Sequence, residues 1–246
     1  MRFARRHFML ACACALTASG GLAVPAGAAA DTATTGAPTG GTAAPGNAPA
    51  TTSTGNAALT SSPGALVNRS MRLRGTVPAR LAGRTVVIQL LNADGSWTTV
   101  AQATADSTGR FAARWRPGRS GRFTLRAAVG STSQTRATPA AAIGQAHVTV
   151  YPSAIATWYG PRSGRVETTA CGVSLAKSTM GVAHRTLPCG TRVELFYAGR
   201  IVRVPVIDRG PYANNATWDL TVAAAGALNF IDVGVDRIGA LVLRGR

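Results

Sequence analysis

Hydrophobic and polar positions follow four successive patterns along the chain. The first thirty residues carry one apolar stretch, from Phe8 to about Val24, behind a short basic run containing Arg2, Arg5 and Arg6. Residues 31–62 show no apolar periodicity and consist of Ala, Thr, Gly, Pro, Ser and Asn with almost no charge. From residue 63 the pattern has period two. RTVVIQLLNADGSWTTVAQATA reads as a strand, an Asp94-Gly95 turn and a second strand. GRFAARWRP and GRFTLRAAV alternate apolar and polar residues, and AHVTVY closes the block. Short strands with turn residues between them predict an antiparallel β-sandwich over residues 63–151. Residues 152–246 form a second set. SAIATWYG reads as a strand, GTRVELFYAGRIVRVPVID as a hairpin turning at Gly199-Arg200, and VDRIGALVL as a final strand. TWDLTVAAAGALNF reads as the one good helix, with Thr217 or Asp219 available as its cap. Strands around a single short helix predict a small closed barrel, so the expected fold class is all-β throughout.

The N-terminal segment changes the compartment. Ala28-Ala29-Ala30 follows the apolar stretch as a small-residue cleavage site, so residues 1–30 are expected to be a secretory signal peptide. Thr17, Ser19, Gly20 and Gly21 interrupt the stretch, which makes it a poor membrane span. Cys12 and Cys14 lie early, and Met9-Leu10-Ala11 is a poor lipid-attachment signal, so lipoprotein anchoring is not expected. Residues 31–62 lack the apolar residues for a core and are expected to form a disordered stalk. After cleavage Cys171 and Cys189 are the only cysteines, and an even pair in an oxidising compartment predicts one disulfide. His147 and His184 are the only histidines left and no paired metal-binding spacing exists, so neither a metal site nor a cofactor is expected.

Charge narrows the partners. The formal net charge of +17 falls to +14 once Arg2, Arg5 and Arg6 leave with the signal. Lys177 is the only lysine, and residues 63–151 hold twelve arginines against Asp94 and Asp106, a charge of +10. On an exported protein such a surface meets anionic wall polymers or lipid headgroups rather than nucleic acid. It reads either as an adhesive surface or as the solvated face of a spacer.

Acids are scarce, nine in all, and two of them fall in VPVIDRGPYANNATWDL. Asp208 ends a run of β-formers just before Arg209-Gly210-Pro211. On a strand it shares a face with Val206, while Ile207 and Arg209 take the other. It therefore reads either as a brace for the turn or as a carboxyl presented to a groove. Asp219 reads either as a helix cap or as a groove contact, and His184 as a satisfied core histidine or as a partner of Asp208. Tyr159 and Tyr212 adjoin turns, which favours exposure. Trp158 reads as core, and Glu194 and Asp232 as solvated charges.

Four segments in order, ATWYG (156–160), GVAHRTLPCGTRVEL (181–195), VPVIDRGPY (204–212) and WDLTVAAAGAL (218–228), resemble the double-psi β-barrel domain of the rare lipoprotein A (RlpA) family. Expansins and some small endoglucanases are similar barrels. The preceding block resembles bacterial immunoglobulin-like repeats of surface proteins, through its Gly-x-Thr-Val strand, the Trp97 strand and the Gly-x-Phe strands. The resemblance implies a six-stranded double-psi barrel after an immunoglobulin-like sandwich, in a secreted cell-wall protein. It implies binding of peptidoglycan glycan strands and their cleavage by lytic transglycosylation, on strands stripped of stem peptides. Asp208, as acid/base, and His184 match the family's active-groove residues. Trp158, Tyr159 and Tyr212 would stack on sugar rings, with Arg209 and Asp219 as further substrate contacts. The family's upstream glutamate is matched by Val173, and Glu167 is the nearby candidate for a second carboxylate. The rival expectation is a non-catalytic, expansin-like binding module using the same groove.

Overall fold

A computed structural model describes residues 50–54, 57–130, 142–162 and 167–243. Apart from a 3-10 turn at Ala79–Leu81 and one short α-helix, the regular structure of these residues is β. Nine strands make the N-terminal sheet: β1 Ala50–Thr54, β2 Ala57–Ser61, β3 Gly64–Leu66, β4 Met71–Thr76, β5 Thr85–Leu91, β6 Trp97–Thr104, β7 Arg110–Trp115, β8 Gly121–Val129 and β9 Ala142–Tyr151. Hydrogen bonding runs β6-β5-β8-β9-β1-β2-β4-β7, and β3 pairs with β9 in parallel. Alternate residues point inward along β4 and β7. The sheet curls, so that Leu73, Phe111 and Trp115 from one end share a core with Val86, Ile88 and Leu125 from the other. The two faces of the expected sandwich are thus parts of one continuous sheet. The Asp94-Gly95 turn forms where the alternation predicts it, with Gly95 at φ 81°.

One expectation needs correction. Residues 31–62 read as a stalk, yet β1 and β2 lie within them. β2 pairs with β4, β1 pairs with β9, and Leu59 is fully buried. Composition alone misses this because a Thr- and Ala-rich segment, though poor in core residues, can complete a ladder when two open strand edges flank it. Residues 1–49, including the expected signal peptide and most of the stalk, lie outside the described residues.

The C-terminal region contains β10 Ser153–Tyr159, β11 Glu167–Thr168, β12 Ser174–Leu175, β13 Val182–Ala183, β14 Arg192–Tyr197, β15 Arg200–Asp208, β16 Trp218–Thr221, α1 Val222–Ala227 and β17 Asp236–Val242. Six strands close a barrel in the order β10-β16-β13-β15-β14-β17, and β11 and β12 pair beside it. Its core is filled by side chains such as Val193, Leu195, Val204, Leu220 and Phe230. The β14–β15 hairpin turns at Ala198-Gly199, both at positive φ, one residue earlier than expected. The helix also starts later than the pattern predicts. Trp218–Thr221 is a strand, paired with β10 on one side and β13 on the other. Neither Thr217 nor Asp219 caps the helix. Thr221 does, its Oγ1 accepting the Ala224 N–H. Two available ladders outweigh the helical propensity of this stretch.

Only Pro152 separates β9 from β10. Tyr151, fully buried at the end of β9, stacks on Phe196 of β14 with ring centroids 5.1 Å apart and planes within 1°. Its hydroxyl donates to Glu194 Oε1 at 2.7 Å, and Arg203 Nε donates to Oε2 at 2.7 Å. Glu194 is therefore buried, not solvated as its charge suggests, because each of its oxygens has a donor. Asp232 is exposed, as expected. Gly64 and Gly239 make room for Tyr151: a Cβ on Gly64 would come within 2.7 Å of its ring, and one on Gly239 within 2.5 Å of its Cβ.

Candidate active groove

Strand register assembles the site. Asp208 on β15 pairs with Ala183 on β13, Ala183 pairs with Asp219 on β16, and Asp219 pairs with Thr157 on β10. A register irregularity between Val182 and Ala183 brings Asp208 into this row. Four residues spread over the domain sequence thus lie side by side. Ala183, between the two acids, carries no side chain long enough to separate them. An open groove of about 400 Å³ runs past this row. Trp158, Tyr159, Pro211 and Tyr212 also line it.

Asp208 combines both roles read for it. Its Oδ1 accepts the backbone N–H of Ala170 at 2.9 Å and of Arg209 at 2.8 Å, which braces the turn. Its Oδ2 has no hydrogen bond among the described residues, and the side chain lines the groove. Ala170 is held in place by its neighbour Cys171, which forms the predicted disulfide with Cys189, Cα atoms 5.7 Å apart.

Asp219 is half-buried and accepts the Thr157 hydroxyl at 2.7 Å. Burial pushes its carboxyl above the ordinary aspartate range; the Thr157 bond opposes this, and the neighbouring Asp208 charge adds to it. Tyr159 places its hydroxyl beside both acids. Burial, then the charges of Asp208 and Asp219, drive its phenol far above the usual range. That hydroxyl is out of water and interacts with the Asp208 carboxylate, but without full hydrogen-bonding geometry.

The other predicted residues sort differently. The His184 Nδ1 accepts the N–H groups of Thr186 and Leu187 at 3.2 and 3.1 Å, which leaves the proton of the neutral ring on Nε2. Burial first, then Arg185 and Arg209, hold its pKa below the ordinary histidine value, and the ring packs 4.5 Å from Trp218. Its contact with Asp208 is through the backbone, N–H to carbonyl at 3.2 Å, and the ring does not line the groove. Arg209 lines the groove but directs its guanidinium at the 184–189 loop, bonding the carbonyls of His184 and Leu187 and the sulfur of Cys189. Trp158 is not core: it is 36% exposed, and its indole N–H donates to the Ile231 carbonyl. Tyr212 is 79% exposed. Glu167 sits on β11, accepts the Arg162 N–H at 3.4 Å and does not line the groove. Val173 closes the adjacent turn through its carbonyl. Sequence reasoning missed Thr157 and Ala183. Thr157 shares a strand face with Tyr159 by alternation, which is the one local signal for it.

The C-terminal region is similar in sequence to known proteins. A family profile described as "Lytic transglycolase", of the double-psi β-barrel type, matches residues 152–239. The probable endolytic peptidoglycan transglycosylase RlpA of Aquifex aeolicus is 42% identical over 97 residues, covering 38% of this chain and 42% of that protein. The endolytic peptidoglycan transglycosylase RlpA of Campylobacter jejuni is 38% identical over 82 residues, covering 32% and 30%. The chain thus spans less than half the length of the curated relatives it matches, 42%, 28% and 26% for three of them. Among solved structures, the Streptomyces papain inhibitor is 30% identical, with TM-score 0.30, covering 36% of this chain and 92% of that one. A Clavibacter michiganensis expansin is 24% identical, with TM-score 0.33, covering 38% and 50%. Residues 152–239 thus match the lytic transglycolase profile, and the C-terminal region resembles the double-psi β-barrel domain of the RlpA proteins.

Proposed function

We propose that the protein acts in the cell wall, outside the cytoplasmic membrane, where its barrel binds peptidoglycan glycan strands and cleaves them as a lytic transglycosylase. One observation carries the reading. Asp219, a carboxyl that burial makes hard to ionise, faces the same groove as Asp208 across a single alanine. Asp219 is then the acid, in place of the Asp208 expected from the sequence. It gives its proton to the glycosidic oxygen as the bond from C1 to that oxygen breaks. The resulting carboxylate takes the proton of the sugar's own 6-hydroxyl as that oxygen bonds to C1. A 1,6-anhydro ring forms, and Asp219 returns to its protonated state. No water is activated, so one proton-carrying carboxyl suffices, even with Val173 at the family's glutamate position. Asp208, held by two amide donors, supports the positive charge that develops at the ring. Trp158 and Tyr212 offer exposed rings to the sugar faces, and the unpaired Tyr159 hydroxyl supplies a donor. His184 and Arg209 shape the loop that supports Asp208.

Mass spectrometry of purified glycan strands incubated with the protein tests this. Products with 1,6-anhydro ends, one water lighter than hydrolysis products, are expected. Reducing ends would make the enzyme a hydrolase. Binding without any product would leave the second reading, a non-catalytic, expansin-like binder. The engagement of the His184 ring with its own loop favours that reading, because it leaves one of the residues that match the family's active groove out of the groove.

A further inference from the structure

Between residues 63 and 151 the chain has twelve arginines and two aspartates. Both aspartates are occupied locally. Asp94 accepts from the backbone and hydroxyl of Ser96, and Asp106 from Thr108 and the Arg110 N–H. Three of the described arginines have partners and the others have none, among them a set of three. Arg126 lies 4.1 Å over the Trp97 ring and bonds Gln89, Arg119 lies 4.9 Å over Phe123, and Arg116 bonds the Asn68 carbonyl. Arg72, Arg74 and Arg114 have no ion pair, side-chain hydrogen bond or aromatic partner among the described residues.

These three stand together. Met71 and Leu73 point inward from β4, which leaves Arg72 and Arg74 on the outer face. Ala113 and Trp115 point inward from β7, which leaves Ala112 and Arg114 outside. The register sets Arg72 directly opposite Arg114, and Arg74 between Ala112 and Thr60. Like charges directly opposite on an antiparallel pair destabilise it. The neighbours are small, so the guanidinium forks stand free. Spacings are about 4.8 Å across the strands and about 6.8 Å between alternate residues along one.

We propose that this arginine platform binds a linear phosphodiester polymer of the cell envelope. Guanidinium is permanently charged and its planar fork pairs with two phosphate oxygens at once. A diester chain lying between opposed arginines places an anion in each gap and turns their repulsion into shared attraction. The face carries no aromatic side chain between its arginines, so it lacks the stacking surface that a single-stranded nucleic acid uses. The polymer's envelope origin rests on the function proposed above; its chemistry rests on the platform alone.

The full-length protein is titrated with soluble poly(glycerol phosphate) at low and at physiological ionic strength. The platform variant R72Q/R74Q/R114Q is compared with R84Q/R122Q/R192Q, which removes the same charge elsewhere. The platform variant should bind roughly tenfold or more weakly, with a shallower dependence of log K on log salt, while the control stays close to wild type. Equal losses in both variants would show net charge alone and overturn the proposal. So would equal affinity for polyglutamate, or a preference for single-stranded DNA or for phosphatidylglycerol vesicles. The platform variant should melt at or above the wild-type temperature, and a lower melting temperature would remove the like-charge argument. Cleavage of peptide-free soluble glycan is measured in parallel. Its absence in wild type would count against the groove chemistry and leave the polymer result unaffected.

Discussion

The N-terminal sheet and the barrel are built from similar strands, yet Asp94 and Asp106 of the sheet and Asp219 of the barrel sit in opposite environments. In the sheet, Asp94 and Asp106 sit in exposed turns. Hydrogen bonds, led by the Ser96 hydroxyl for Asp94 and the Thr108 hydroxyl for Asp106, hold their pKa values below the ordinary range. In the barrel, Asp219 is pushed up by burial. A turn acid supports its fold once it is ionised; a groove acid works against its fold in the same state. Opposite pH dependences of stability therefore mark these residues, and they separate the carboxyls that brace turns from the one proposed above as the acid.

The sharpest test of that contrast is Asp219→Asn. It should reduce anhydro-product release by roughly 10²–10⁴. The folded pKa of Asp219 is raised, so the wild-type carboxyl favours the fold only while protonated and loses that contribution as pH rises. The variant should thus melt higher than wild type near pH 7, and the gap should close below about pH 4, the ordinary aspartate value. Asp106→Ala should do the reverse. Its folded pKa is lowered, so it contributes stability at neutral pH that is lost as pH falls through and below the ordinary range. The variant should melt lower near pH 7 and converge with wild type in acid. Thermal melts of both variants across pH check the signs, and parallel behaviour of the two would break the comparison.

Tyr151→Ala tests the joint between the regions. Removing the buried ring should cost about 3–5 kcal/mol, and Tyr151→Phe about 1–3 kcal/mol, because Glu194 Oε1 loses its buried donor. Denaturant melts of the full chain measure both. If the phenylalanine variant matches wild type, the hydroxyl bond to Glu194 contributes nothing to the joint.

A smaller and more local effect is expected from Cys171→Ser/Cys189→Ser, about 3 kcal/mol on the chain-entropy picture of an 18-residue separation. Amide exchange should quicken at Ala170 and along β15 while β4 stays protected, since no described cysteine lies in the sheet. Uniform loosening of both regions would argue against a local effect. The smallest change should come from Tyr159→Phe. Losing a buried hydroxyl without a partner should raise stability by up to about 1 kcal/mol. Glycan affinity should fall at the same time if that hydroxyl is the donor proposed for it. A drop in melting temperature would instead reveal a partner for it in the unbound protein.

Much of the architecture was legible from local pattern. Alternation located β5 to β10, β14, β15 and β17, and glycines with left-handed backbone marked the turns at Gly95 and Gly199. Counting cysteines was enough to pair Cys171 with Cys189. Asp208 could be placed at a strand end facing a turn. These features depend on side-chain period, on the backbone angles a residue tolerates and on the number of available partners, all of which can be read along the chain. Tertiary structure alone decided the rest. It made Trp218–Thr221 a strand by supplying ladders on both sides, and so moved the cap from Asp219 to Thr221. It buried Glu194 by bringing Tyr151 and Arg203 to its two oxygens, and it recruited β1 and β2 into the sheet. Above all it set Asp208 and Asp219 on either side of Ala183. Register between strands distant in sequence is fixed by how the barrel closes. Closure depends on all six strands at once, so no single segment carries it.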